Sequence, residues 1–295
     1  MTAKRNGKYE IGNGVGFSNI VVPRGKTFDF YRLVSSSDAS PQVSLVVPVY
    51  NLRKYIPEMV DSVRRQTADP GSYEVLFVDD CSTDGSFDVI RGEIGDLENG
   101  VALRTIRNGG SHATKNHGIR SSRGRHIMLL DGDDVLDPSA IESMMQFMKD
   151  NPAVKYSYSQ HRKIDPKGDV LYERLGFDFS RKRLLNFNFV GAVECYERGL
   201  FDALGGYRDS YVEDYDFALR ASEELSGDEI SRNPKMLYSH RLHPSGKTAG
   251  IDFARNAAAM AIKDSLLRKE GVVADVKFNG SNSEKNTCFS WTAVA

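Results

Sequence analysis

The sequence predicts an α/β fold, a mostly parallel, doubly wound sheet flanked by helices. Three observations predict it. Val43–Val49 reads VSLVVPV, apolar and β-branched nearly throughout, as a strand covered on both faces must be. Runs of that kind alternate with segments of helical spacing, which implies right-handed βαβ units. Polar residues collect directly after the strands, at Tyr50 and Asn51, at Asp79 and Asp80, and across 131–134. Open α/β sheets hold their ligands there, beyond the carboxyl ends of the strands.

Residues 1–41 are polar and glycine-punctuated, end in Ser-Ser-Ser-Asp-Ala-Ser-Pro, and read as an N-terminal extension or linker. The compact domain, 42–250, opens with the strand at 43–49. Leu52, Tyr55, Ile56, Met59, Val60 and Val63 then recur at helical spacing, which gives an amphipathic helix packed on the sheet. Residues 74–78 (EVLFV) form a second buried strand, Phe87 and Ile90 mark a short helix, and 101–106 form a third strand. A helix over 113–119 and a fourth strand over 126–130 (HIMLL), ending in acids, complete the series. The second half is less regular. Residues 155–164 and 170–175 flank Asp-Pro-Lys-Gly-Asp, a hairpin turn, and 213–225 reads as a helix. Residues 251–295 read as a final alanine-rich helix, centred on 253–267, and a polar tail after Gly271.

Lysine plus arginine number 39 against 40 aspartate plus glutamate, a net charge of −1. That excludes global attraction to nucleic acid or an anionic membrane, so any phosphate binding must be local. With 295 residues, 40% hydrophobic, the chain can bury a full core. Cys81, Cys195 and Cys288 lie too far apart for a metal knuckle and cannot all pair. That cysteine usage suits a reducing compartment, so a cytoplasmic site is the expectation, and since no apolar run approaches the roughly 18 residues of a membrane span, no transmembrane segment is expected. In that setting the sequon at Asn279 is expected to stay unused.

The strongest chemical signal is Asp131-Gly132-Asp133-Asp134 after an apolar strand. Carboxylates crowded there repel one another unless a cation or donor compensates. A divalent metal, Mg²⁺ or Mn²⁺, does so and can also hold the phosphates of a nucleotide. The same residues can simply form an acidic turn that caps the helix after Pro138. At Asp79-Asp80, followed by Cys-Ser-Thr-Asp-Gly, a carboxylate can accept a hydrogen bond from a base imide, while Ser82 and Asp84 suit a turn.

Five segments in order resemble the family 2 glycosyltransferases of the A-type fold. They are Pro48-Val-Tyr50-Asn51, Val78-Asp-Asp80-Cys-Ser-Thr-Asp, Gly-Ser-His-Ala-Thr-Lys115-Asn116-His-Gly, Leu130-Asp131-Gly132-Asp133-Asp134 and Glu213-Asp214. The resemblance covers residues 43–245. It implies an A-type sheet with a small antiparallel acceptor-side subregion. It also implies a nucleobase pocket formed by Pro48, Tyr50 and Asn51, with Tyr50 stacked on the base and Asp80 reading its edge. Asp131 and Gly132 would meet the ribose, and Asp133 would bind Mn²⁺ or Mg²⁺. The segment holding Lys115 and Asn116 often carries arginine in relatives; lysine keeps the charge and loses the planar fork. Asp214 would be the general base, with Glu213 orienting it or the donor sugar, and Asp216 an outer acid. In the late loop Tyr-Ser-His-Arg-Leu-His-Pro-Ser, the resemblance assigns Arg241 and Ser245 to the leaving group and His243 to the metal or the phosphates. His240, His112, His117 and His126 are left structural.

The activity implied is inverting, metal-dependent transfer from a nucleotide-diphosphate sugar, UDP-sugar first, to an acceptor hydroxyl. The acceptor is a glycan, a lipid-linked glycan or a protein, as in surface polysaccharide or glycoconjugate synthesis. Homo-oligomers or peripheral membrane association are compatible with it. Two other readings stay open: an inactive or regulatory nucleotide-sugar-binding protein of the same fold, and a nucleotidyltransferase. The latter lacks a basic glycine-rich loop after the first strand.

Overall fold

The parallel core forms where the sequence is most continuously apolar. In the computed structural model, β1 (Val43–Val49), β2 (Tyr73–Asp79), β3 (Gly100–Thr105) and β4 (His126–Leu129) lie in the spatial order β3-β2-β1-β4, all parallel. The structure describes residues 40–294 except 192, 247–250 and 282–286. Before residue 40 it describes three short strands, Lys4–Arg5, Lys8–Tyr9 and Phe28–Tyr31, the last pairing with β3. The linker expected to end at residue 41 therefore lies almost wholly outside the described residues.

Every residue of β2 is buried, which is why its run carries no polar alternation. Helix α1 (Ile56–Arg64) turns Ile56, Met59, Val60 and Val63 onto one face of the sheet, with α2 (Ser86–Glu93) beside it through Phe87 and Ile90. Helix α3 (Gly110–Ser121) packs on the other face. A Cβ on Gly118 would lie 2.4 Å from Val46 Cγ1 and 3.0 Å from Val78 Cγ2, so only glycine lets α3 sit this close to β1 and β2.

The second half extends the same sheet. After β5 (Val135–Leu136) and α4 (Ala140–Asp150), the expected hairpin appears as β6 (Tyr156–Ile164) and β7 (Val170–Arg174). Next come α5 (Arg181–Leu184), β8 (Cys195–Glu197), α6 (Arg198–Leu204), α7 (Glu213–Glu224) and β9 (Ile230–Arg241). Strand β8 is antiparallel to both β4 and β6, and β9 runs parallel to β6 and antiparallel to β5. The antiparallel part is thus fused to the parallel core in one ten-stranded sheet.

Helix α8 (Ile251–Glu270) is longer than its alanine-rich centre suggested. The segment expected to be a polar tail folds into a hairpin, β10 (Ala274–Ser281) and β11 (Thr287–Ala293). Its period-2 residues explain this: Ala274, Val276 and Phe289 are buried in one cluster with Ile262 and Leu266 of α8. The sequon residue Asn279 lies in this hairpin, where its side-chain oxygen accepts from Ser290 Oγ. Among the described residues no helix is long and apolar enough to cross a membrane.

Candidate active site

The carboxyl ends of β1, β2 and β4 open into a cavity of about 730 Å³. Its other walls come from β6 and β9, the first turn of α7, and Arg255 and Phe289 near the C-terminus.

On the β1 and β2 side, Pro48 and Tyr50 line the cavity, and Tyr50 is 47% exposed, so its ring is available to a ligand. Asn51 is not in the wall. It takes a left-handed conformation (φ 54°), its backbone N–H donates to Ser82 Oγ, and its side-chain oxygen accepts from the Thr83 N–H. It therefore ties the β1 turn to the β2 turn. Asp80 reaches the cavity but already accepts from the N–H groups of Gly109 and Gly110 and from Thr105 Oγ1. It fixes the loop that starts α3. Asp79, fully buried, accepts from the Ser82 N–H and pairs with Arg104, and burial raises its carboxyl above the usual range.

The acid loop after β4 is built around Gly132, where a Cβ would lie 2.8 Å from the Pro48 carbonyl oxygen. Its four members have separate roles. Asp134 is buried: Oδ1 accepts from the Arg241 N–H at 2.7 Å and Oδ2 from the Tyr238 hydroxyl at 2.5 Å. Burial, then Asp133 and Asp131, push its carboxyl well above the carboxylate range. Asp131 lines the cavity; burial pushes it up to about 6 against the lowering effect of Lys115, with Asp214 and Asp133 adding to the rise. Asp133 also lines the cavity, and its Oδ2 lies 2.8 Å from His243 Nε2. The His243 ring leans on Tyr55, 4.7 Å between centroids.

Arg241 is buried and fully engaged, donating to the Asp133 and Asp165 carbonyls and pairing with Glu58. Its guanidinium clamps the acid loop, so the sequence-based assignment to a leaving group meets a cation already spent on protein partners. Ser245 lies exposed at the cavity edge.

Across the cavity, Glu213 and Asp214 occupy the first turn of α7, where the helix dipole favours carboxylates. Lys115, 2% exposed, reaches from α3 to both: Nζ is 2.5 Å from Asp214 Oδ1 and 3.2 Å from Glu213 Oε1. Glu213 is buried and also accepts from Ser111 Oγ, whereas the Asp214 side chain is 38% exposed in the cavity. Lys115 thus serves the acid pair, where the sequence reading placed it on the donor. Asn116 lies outside the cavity wall, its carboxamide clamped to the backbone N–H and C=O of Tyr207. Asp216, expected at the periphery, is buried against Arg220, which holds the Leu204 and Gly206 carbonyls.

Buried polar residues in the cavity wall that the sequence does not single out include Lys163 and Glu194. Lys163 on β6 is held down to about 7 by burial, with Asp134 opposing. Glu194, just before β8, is a carboxylate inside the apolar run Phe-Val-Gly-Ala-Val-Glu-Cys-Tyr. That one charge in an apolar segment was the available signal. Among the described residues no group of three or more metal-type ligands forms.

Glycosyl transferase family 2 matches residues 44–206, more than half of the chain. Over 111 residues the chain is 37% identical to the poly(ribitol-phosphate) beta-glucosyltransferase of Bacillus spizizenii, covering 37% of this chain and 18% of that protein. Residues 1–349 of S. aureus TarS in complex with UDP-GlcNAc superpose with a TM-score of 0.65 at 18% identity, covering 78% of this chain and 67% of that one. The mannosyltransferase PcManGT from Pyrobaculum calidifontis, in complex with GDP-Man and Mn2+, superposes with a TM-score of 0.62 at 17% identity, covering 78% and 65%. At such identities these two likenesses show the fold alone. The chain spans 27% and 18% of the lengths of the first two curated relatives it matches.

Proposed function

The chain belongs to glycosyl transferase family 2 and has its A-type fold, and on that premise we propose that it transfers a sugar from a UDP-sugar to an acceptor hydroxyl with inversion. One observation carries the reading. A single cavity holds Asp131 and Asp133 at a strand end and Asp214 at a helix start, close enough that Asp214 and Asp133 both raise Asp131.

Tyr50 stacks on the base, and the loop that Asp80 fixes at Gly109 and Gly110 closes the same pocket. Asp214 accepts the proton of the attacking hydroxyl. Lys115 holds its Oδ1 and Ser111 and Lys115 hold Glu213, so the base sits on a buried, hydrogen-bonded support. One base, with no nucleophile needed on the opposite face, suits direct displacement. Ser245 offers a hydroxyl to the departing diphosphate.

The reading implies a divalent cation, Mn²⁺ or Mg²⁺, and the residues present fit one. Asp133 and His243 bring an oxygen and a nitrogen ligand together, and Asp131, raised first by burial and then by Asp214 and Asp133, lines the same cavity, where a cation would favour its charged form. Such ions keep water and substrate oxygens in their remaining positions, so a two-residue anchor is sufficient. Bound there, the ion supplies Lewis-acid stabilisation of the leaving diphosphate. The matched poly(ribitol-phosphate) glucosyltransferase supports a surface-polymer or glycoconjugate acceptor.

Asp214→Asn tests the base assignment. UDP binding measured by calorimetry stays within about twofold of wild type, while transfer falls by roughly 10²–10⁴. Near-normal transfer by this variant would make another group the base.

A further inference from the structure

A buried polar atom without a partner is uncommon in a folded protein and calls for an explanation. Glu194 presents one. The residue is 5% exposed, it lines the cavity, and its Oε2 makes no hydrogen bond. The Tyr156 hydroxyl next to it helps the charged form, yet that hydroxyl too lacks a well-formed hydrogen bond. The residue before it, Val193, has φ 38°, a left-handed conformation that a β-branched side chain adopts only under constraint. The backbone is therefore strained at the point where it delivers this carboxyl to the cavity.

The position of Glu194 relative to the chemistry follows from the cavity wall it shares. It lines the same cavity as the proposed base Asp214, its lysine Lys115 and the strand-end Asp131, and the charges of all three act on it. In a displacement that runs from Asp214 toward the diphosphate at Asp133, the transferred sugar must lie in that space. Burial, followed by the Asp214 charge, raises the Glu194 carboxyl well above its usual range. A carboxyl driven toward its uncharged form both donates and accepts hydrogen bonds, which suits a sugar hydroxyl. A ligand group that gives Glu194 Oε2 and the Tyr156 hydroxyl well-formed hydrogen bonds offsets the desolvation cost of burying them.

We propose that Glu194, with the Tyr156 hydroxyl beside it, reads a hydroxyl or amide substituent of the transferred sugar and so sets which sugar the enzyme accepts. This deepens the transferase reading and rests on it.

The test compares wild type with Glu194→Gln and Glu194→Leu, using UDP, UDP-glucose, UDP-galactose and UDP-N-acetylglucosamine as probes. Affinity is read by calorimetry and turnover as kcat/KM for nucleotide release. The expected result is an unchanged Kd for UDP and a ratio of kcat/KM between the best and second-best sugar that falls about tenfold or more in Glu194→Leu. Glu194→Gln, which keeps the shape and one donor and one acceptor, retains more of that ratio. Equal losses on every sugar with the wild-type ratio preserved would make Glu194 a support for the cavity floor and overturn its recognition role. Wild-type ratios and rates in both variants would overturn it as well. Wild-type protein that binds none of these nucleotides would instead overturn the transferase reading on which the proposal stands.

Discussion

Replacing Lys115 with methionine removes the cation that joins α3 to the acid pair of α7. Lys115 and Glu213 have side chains only 2% exposed, 3.2 Å apart, so Glu213 would lose this buried ion pair while its hydrogen bond from Ser111 Oγ remains. Breaking a buried pair by removing one partner costs about 3–5 kcal/mol. The contact to Asp214, whose side chain is 38% exposed, adds little to stability because solvent screens it. For a domain of this size the loss lowers Tm by roughly 6–20 °C, which scanning calorimetry resolves. The double variant Lys115→Met, Glu213→Gln should recover much of the loss, since the buried carboxylate charge that Lys115 balanced is then gone. Transfer should remain low in both, because Asp214 has lost the group that anchors its Oδ1. A stability loss under about 1 kcal/mol in Lys115→Met, or a double variant no more stable than the single one, would refute the account of Lys115 as the counter-charge of α7.

Three further perturbations follow from the same geometry. Gly132→Ala would place a Cβ 2.8 Å from the Pro48 carbonyl, costing about 1–3 kcal/mol and shifting both flanking aspartates, so UDP affinity measured by calorimetry should drop together with Tm. Asn116→Ala should cost about 2 kcal/mol through two unpaired backbone groups of Tyr207 while leaving the Kd for UDP unchanged; a selective loss of UDP binding would return Asn116 to the donor site. Lys163, lowered to about 7 by burial and by Arg174 against the pull of Asp134 and Asp131, binds fewer protons folded than unfolded between that value and its ordinary one near 10.5. Wild-type stability from this group therefore rises with pH across that window. Lys163→Met should lack the rise in denaturant titrations at pH 6, 8 and 10, and identical pH profiles for the two proteins would contradict the buried, discharged lysine.

The parallel core was legible because strands buried on both faces leave a continuous apolar run and the polar motifs stop it abruptly. β1, β2 and β4 fall where Val43, Glu74 and His126 begin their runs, give or take a residue. The motif residues Tyr50, Asp80, Asp131, Asp133 and Asp214 do share one cavity. What the sequence hid was partnership across long separations. Nothing local marks Arg241 as spent on Glu58 and two carbonyls, or Asn116 as a clamp on Tyr207, because those partners meet only in the folded sheet. The hairpin after Gly271 was hidden for another reason: its alternation is short and broken by Asn279, Gly280 and Ser281, so composition outweighed period.

Asp133 and Asp214 are proposed to serve a metal-assisted transfer from a nucleotide sugar. That role is tested most directly by nucleotide release from UDP-, GDP-, dTDP- and CMP-linked sugars, with Mn²⁺ or Mg²⁺ and with chelator, in wild type and Asp133→Ala. The expected result is selective release from a UDP-sugar that chelation and the substitution both abolish. Absence of metal-dependent binding and release for every donor would contradict it.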